Sequence, residues 1–185
     1  MTRDTLRSAL REHAYLEGEF LLRSGRRSTY YLDKYRFSTD PDLLAALGSE
    51  LGAAVRGHEP EAARLAAPEV GAVPLAAAAS LAARLPFLIV RREAKAYGTG
   101  NRLEGPFELG ERVCLVEDVV TTGGAVLAAV RALRRAGLDC RTAVCVVDRE
   151  EGGAEALAHH GIRLHPLFRA AELAEGAKSA AKPRG

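Results

Sequence analysis

The chain has 185 residues, enough to bury a full hydrophobic core yet within the range of one domain. Its 26 Lys and Arg against 24 Asp and Glu leave a formal charge of +2. That balance excludes a long-range electrostatic case for nucleic acid or a membrane surface as the main partner, so any strong anion site must be local.

From the N-terminus, Met1 to Glu17 is charged throughout and reads as an amphipathic helix, not as a secretory signal. No later stretch approaches the roughly 20 uninterrupted apolar residues that span a bilayer. Gly18 to Arg23 and Ser28 to Asp33 are short β-like runs around Ser24-Gly25-Arg26-Arg27, which together predict a hairpin. Asp40-Pro41 then supplies an N-cap and a proline at the first helical position. Leu43, Leu44, Leu47, Leu51 and Val55 follow at helical spacing, with Gly57 as a stop.

From there strand and helix alternate. Strands are predicted over Arg64 to Ala67, Phe87 to Val90, Arg112 to Glu117, Thr142 to Val147 and Ile162 to Leu167. Helices fall at about Pro74 to Leu85, Gly124 to Ala136 (closed by Gly137) and Glu155 to His160. This order implies an α/β domain, a mostly parallel central sheet flanked by helices, whose ligands sit at the C-terminal strand ends. It divides into a small N-terminal hood with a helix and a hairpin (1–40), a core (41–170) and a tail (171–185) that reads as frayed from about Glu175. Cys114, Cys140 and Cys145 lie in or beside apolar runs without metal-ligand spacing, and read as buried reduced thiols of a cytoplasmic protein. Arg92 to Pro106 is polar and punctuated by Gly98, Gly100 and Gly105, and loops of that length are functional or disordered.

The most informative run is Val113 to Ala125. A buried strand carries two adjacent carboxylates, Glu117 and Asp118, to its end, and Thr121-Thr122-Gly123-Gly124 then opens onto a helix N-terminus. Such a terminus has unpaired N–H groups and partial positive charge, the glycines allow close approach, and the threonines add donors, which together suit a phosphate. There is no Walker GK[ST] and no GxGxxG. Acids before a phosphate cradle suit a sugar phosphate. The bland alternative is a strand-turn-helix corner with a solvated acid pair, and two adjacent carboxylates at a sheet edge are unfavourable without a partner.

This run resembles the phosphoribosyl pyrophosphate (PRPP) motif of type I phosphoribosyltransferases. The resemblance implies that Glu117 and Asp118 hold the ribose hydroxyls, and that Val119, Val120 and Thr121 to Ala125 form the 5-phosphate loop. Ala125 stands where the family often has Ser or Thr. Three further segments resemble the orotate branch: Gly18 to Asp33, similar to a hairpin that packs over the base; Val90 to Gly105, similar to a mobile catalytic loop; and Val146 to Gly153, similar to a strand end whose arginine contacts orotate.

The resemblance covers roughly residues 15 to 168 and implies orotate phosphoribosyltransfer in UMP synthesis, with Mg²⁺ held by PRPP and no direct protein ligand. It assigns Lys95, with Glu117 and Asp118, to catalysis. Arg23, Arg91, Arg92, Lys95 and Tyr97 join the PRPP set; Glu69, Val70 and Gly71 form a pyrophosphate loop; Thr121, Arg149, Tyr31 and Leu32 meet orotate. It also implies a homodimer in which loop 92–106 reaches the neighbouring site.

Physical reasoning agrees in part. Arg91, Arg92 and Lys95 cluster cations at the start of a glycine-rich loop that could close over pyrophosphate. Arg149 could pair with an anionic base, or simply form an ion pair with Asp148 or Glu150. Two departures stand out: Arg92 where Lys is usual, and Tyr97 where His is usual. At Val70 some members carry Lys, so here backbone amides must take more of that contact. The rivals are a type I transferase for a purine or uracil, and a non-catalytic PRPP sensor.

Overall fold

The computed structural model describes residues 1–21, 25, 27–93 and 102–174. Helix α1 (Arg3–Ala14) is capped by the Thr2 side chain, which accepts from the Thr5 amide, and it turns Leu6, Leu10 and Ala14 inward as one stripe. It ends before the predicted Glu17 because Tyr15 enters a strand and stacks on Tyr30, with ring centroids 4.9 Å apart. Strand β1 (Tyr15–Leu21) pairs antiparallel with β2 (Arg27–Leu32), with a register shift between Glu17 and Phe20, so the expected hairpin is present. A short helix α2 (Lys34–Ser38) follows, N-capped by Asp33. It is too brief to leave a periodic signal in the sequence.

Helix α3 (Pro41–His58) starts as predicted, with the Asp40 side chain accepting from the Asp42 and Leu43 amides. It does not stop at Gly57 but ends one residue later, at His58. The core then runs β3 (Arg64–Pro68), α4 (Ala72–Ala83), β4 (Phe87–Val90), β5 (Leu103–Glu104), β6 (Arg112–Val120), α5 (Gly124–Arg135), β7 (Asp139–Asp148), α6 (Gly153–Ala158) and β8 (Arg163–Arg169). The sheet order is β5-β4-β3-β6-β7-β8, parallel except for β5 against β4.

Strands β6 and β7 outrun the predicted Glu117 and Val147 because they pair with each other as far as Val120 and Asp148. The two acids therefore sit within the strand, not beyond it. Helix α4 begins before Pro74, which lies in the first turn, where its missing N–H costs no helical bond. Strand β5, in the segment read as irregular, is two residues paired with the end of β4.

Alternate strand residues face opposite layers. Leu65, Ala67, Cys114, Val116, Val144 and Val146 pack with α1, α3 and α4, while Ala66, Leu88, Leu115, Ala143 and Cys145 pack with α5. Both faces are covered, which is why the strands read as unbroken apolar runs. The three cysteines are free and buried, and burial pushes the Cys140 thiol up to about 12. Beyond β8, Leu173 is buried, and Arg11 Nη1 donates to its carbonyl at 2.7 Å. The tail from residue 175, expected to fray, lies outside the described residues.

Helices α3 and α4 approach closely through small residues. A Cβ on Gly48 would lie 2.5 Å from the Ala78 Cβ, and one on Gly52 would lie 2.9 Å from the Ala82 Cβ. Gly48→Val is therefore expected to destabilise the domain by about 1–3 kcal/mol through overpacking. Urea unfolding checks this, and an unchanged midpoint would mean that the helices separate freely.

The fold places one crevice. After β3 the chain crosses to α4 on one face, and after β6 it crosses to α5 on the other, so the direction of winding reverses between these adjacent strands. Ligands of open α/β sheets bind at such a reversal, at the C-terminal strand ends.

Candidate active site

Consecutive strand residues face opposite ways, so Glu117 points to the α5 layer and Asp118 to the α4 and hood layer. Both are buried. Glu117 Oε1 accepts from the Asp118 amide at 3.0 Å, and Asp118 Oδ1 accepts from the Val119 amide at 2.6 Å. Burial, then the neighbouring Asp118 charge, pushes the Glu117 carboxyl well above the usual carboxylate range. Glu117 Oε2 is buried and has no hydrogen-bond partner among the described residues. A buried oxygen of this kind is costly unless a donor arrives from outside the chain.

Lys34, which the sequence reading did not single out, places its Nζ 2.8 Å from Asp118 Oδ2. Burial lowers the pKa of this ammonium, but its bond to Asp118 and the charges of Asp118 and Glu117 outweigh that and raise it. No pattern marks a lone lysine after a strand, and its partner lies far along the chain.

Beyond β6, Thr121 and Thr122 are exposed, Gly123 is buried at φ 80°, and Gly124 opens α5. Gly123 is required twice: its backbone is left-handed, and a Cβ there would meet the Gly153 carbonyl at 3.1 Å and Leu157 Cγ at 3.2 Å. The turn from Glu117 to Val126 lines a small pocket of about 90 Å³. Ala125 brings no hydroxyl, so the donors available are backbone amides and the two threonines.

Across the crevice, the turn after β3 carries Glu69, the exposed Val70 and the buried Gly71, with a cis peptide between the first two. Glu69 ties this turn to the strand beside it: its amide donates to the Val90 carbonyl at 3.0 Å, and its Oε1 accepts from the Arg92 amide at 2.8 Å. Gly71 has ordinary helical φ, so what it supplies is space. A Cβ there would overlap Asp118 Oδ2 and lie 3.0 Å from Lys34 Nζ. Arg91 closes the other loop at its base, donating to the Arg102 carbonyl at 2.7 Å, with its guanidinium 3.6 Å from Glu104. Pro68, Glu69, Arg91, Arg92, Arg102 and Ala125 share a cleft of about 120 Å³.

Arg149 follows β7. Its amide donates to the Val120 carbonyl at 2.8 Å, which joins it to the end of β6. Its guanidinium lies 4.7 Å above the Tyr30 ring, and its Nε lies 3.3 Å from the Tyr30 hydroxyl and 3.0 Å from Glu151 Oε1. The ion-pair partner is thus Glu151, not Asp148 or Glu150; Asp148 Oδ1 accepts from the Glu150 amide instead. Alternation along β2 sends Tyr31 outward against Phe20 and Leu32 into the core, so Tyr30 is the hairpin residue that meets Arg149. Leu32 is left only its backbone to offer a base. Arg23, Lys95 and Tyr97 lie outside the described residues.

Among the described residues no cluster of three or more His, Cys, Asp or Glu could hold a metal ion, and no helix is long and apolar enough to cross a membrane.

Comparison with known proteins shows the family. The phosphoribosyl transferase domain model matches residues 56–160, more than half of the chain. An orotate phosphoribosyltransferase of Methanocella arvoryzae is 46% identical over 156 residues, covering 84% of this chain and 87% of that protein. One of Halobacterium salinarum is 47% identical over 171 residues, covering 92% and 95%. Among solved structures, the Mycobacterium tuberculosis orotate phosphoribosyltransferase superimposes with a TM-score of 0.81 at 32% identity, covering 92% of this chain and 98% of that one. That protein has also been solved in complex with PRPP. On these matches, the chain belongs to the orotate phosphoribosyltransferases of the type I phosphoribosyltransferase family.

Proposed function

We propose that this chain transfers ribose 5-phosphate from PRPP to N1 of orotate, giving orotidine 5′-monophosphate and pyrophosphate on the route to UMP. The observation that carries this reading is the acid pair with its orphaned oxygen, set in the same crevice as the glycine turn and the Tyr30–Arg149 contact.

The turn from Thr121 to Ala125, following Val119 and Val120, holds the 5-phosphate through amides, threonine hydroxyls and the α5 N-terminus. Glu117 and Asp118 accept the ribose hydroxyls. Binding a donor at Glu117 stabilises its ionised form, so PRPP binding releases a proton where that carboxyl is otherwise protonated. Glu69, Val70 and Gly71 offer backbone to the pyrophosphate, which Arg23, Arg91, Arg92, Lys95 and Tyr97 surround. Thr121, Arg149 and the Tyr31–Leu32 backbone border the base, with Arg149 matched to the orotate carboxylate.

The acid pair and the orphaned Glu117 Oε2 also suit water molecules of a hydrated cation carried in by PRPP. The acid pair would face such an ion, which when bound would supply charge neutralisation as pyrophosphate leaves. The protein's work is then to align C1 and N1 and to stabilise charge as the bond to pyrophosphate breaks. The assembly we favour is a homodimer in the cytoplasm, with loop 92–106 reaching the neighbouring site.

The reaction is tested by following orotidine 5′-monophosphate chromatographically while PRPP and Mg²⁺ are omitted in turn; product formed without PRPP would contradict it. Arg149→Met is expected to raise KM for orotate about 10- to 100-fold and leave KM for PRPP nearly unchanged, because a charge-assisted pair with the base is lost. Equal effects on both would move Arg149 away from the base.

A further inference from the structure

We propose that Lys34, contributed by the hood, is a positioning residue for PRPP: through its ion pair with Asp118 at the edge of the Glu69–Gly71 turn, it holds that carboxylate fixed to receive the ribose hydroxyls. This rests on the reading that PRPP occupies the crevice.

Asp118 is almost fully buried beside a second buried carboxyl, and two such groups cannot both stay ionised without a counter-charge. Lys34 provides it at 2.8 Å and remains partly open to solvent. The groups facing the pair can be named from each side. Glu117 comes from β6 and Tyr35 from α2, the latter with its ring centroid 5.7 Å from Lys34 Nζ; Cys145, which feels the charge of Asp118, comes from β7, the strand beside β6. Among these only Lys34 brings positive charge.

The turn after β3 presents no cation of its own, since it carries Glu69, Val70 and Gly71. Because Gly71 has no side chain, the ammonium stands directly against that turn's backbone. The lysine is also held by its local structure. Asp33 caps α2 by accepting from the Tyr35 amide at 3.2 Å, and the Asp33 amide donates to the Ala14 carbonyl at 2.8 Å, which fixes the Lys34 backbone against α1.

The test measures calorimetric PRPP affinity and steady-state kinetics for the full chain and for Lys34→Met, Lys34→Gln and Lys34→Arg. The neutral variants are expected to weaken PRPP binding and raise its KM about tenfold or more, with kcat at saturation and KM for orotate within about threefold. Lys34→Arg should restore both.

Lys34→Gln keeps a donor to Asp118 and so the hood contact, but not the charge; if its PRPP affinity and its KM for PRPP match the unmodified chain, Lys34 is only a structural strut and the proposal falls. Wild-type protein that binds PRPP but consumes no orotate would overturn the base assignment while Lys34 is still judged on affinity. Wild-type protein that binds no PRPP would overturn both.

Discussion

Lys95→Ala is expected to lower kcat by about two to three orders of magnitude while leaving PRPP affinity nearly intact, the pattern of a cation that acts mainly in the transition state. The neighbouring cations are already engaged. The Arg91 guanidinium already lies 3.6 Å from Glu104, and its backbone is fixed to Arg102. The Arg92 amide is tied to Glu69. These groups sit at the loop base and are set before substrate arrives, whereas the charge on pyrophosphate grows only as its bond to C1 breaks. On the proposed mechanism, Lys95, further along the chain, is left to meet that charge when it forms. Single-turnover kinetics with calorimetry separate the two quantities, and near-normal turnover in the variant would remove Lys95 from the mechanism.

Gly71→Ala is expected to weaken PRPP binding by about two orders of magnitude, because the added methyl displaces a buried carboxylate or its cation. The glycine is not needed for its backbone, which is helical; it is needed because a Cβ would overlap Asp118 Oδ2 and crowd Lys34 Nζ. Either the turn moves away from the acid pair or the ion pair opens, and each disturbs the side facing pyrophosphate and the side facing ribose together. Since Gly71 is buried against the Asp118–Lys34 pair and not within either apolar layer, the melting temperature should fall far less than affinity does. Calorimetry with PRPP and Mg²⁺ checks this, and normal affinity would show that the turn does not abut Asp118 when substrate is bound.

Much of this arrangement was legible before any coordinates. Strands buried on both faces leave unbroken apolar runs, so β3, β4 and the central part of β6 read directly, and Asp40-Pro41 announced α3. The turn from Thr121 to Gly124 was legible because its parts are contiguous: the acids, threonines and glycines lie on one strand-turn-helix unit. What escaped was short or long-range. Helix α2 and strand β5 are below the length at which periodicity speaks, and α1 ended early because Tyr15 found a stacking partner across the hairpin. The ends of β6 and β7 were missed because cross-strand pairing, not local propensity, extends them. The couplings that complete the site, Lys34 with Asp118 and Tyr30 with Arg149, join the hood to loops far along the chain. A polar residue that meets a partner only in the folded chain leaves no local pattern to read.

The most direct measurement is ultraviolet absorbance of orotate with purified protein, PRPP and Mg²⁺, with adenine, hypoxanthine and uracil in parallel. Orotate is expected to be depleted only when PRPP and Mg²⁺ are both present, and the other bases to be left unchanged. Turnover of another base in place of orotate, or PRPP binding with no base consumed, would contradict it.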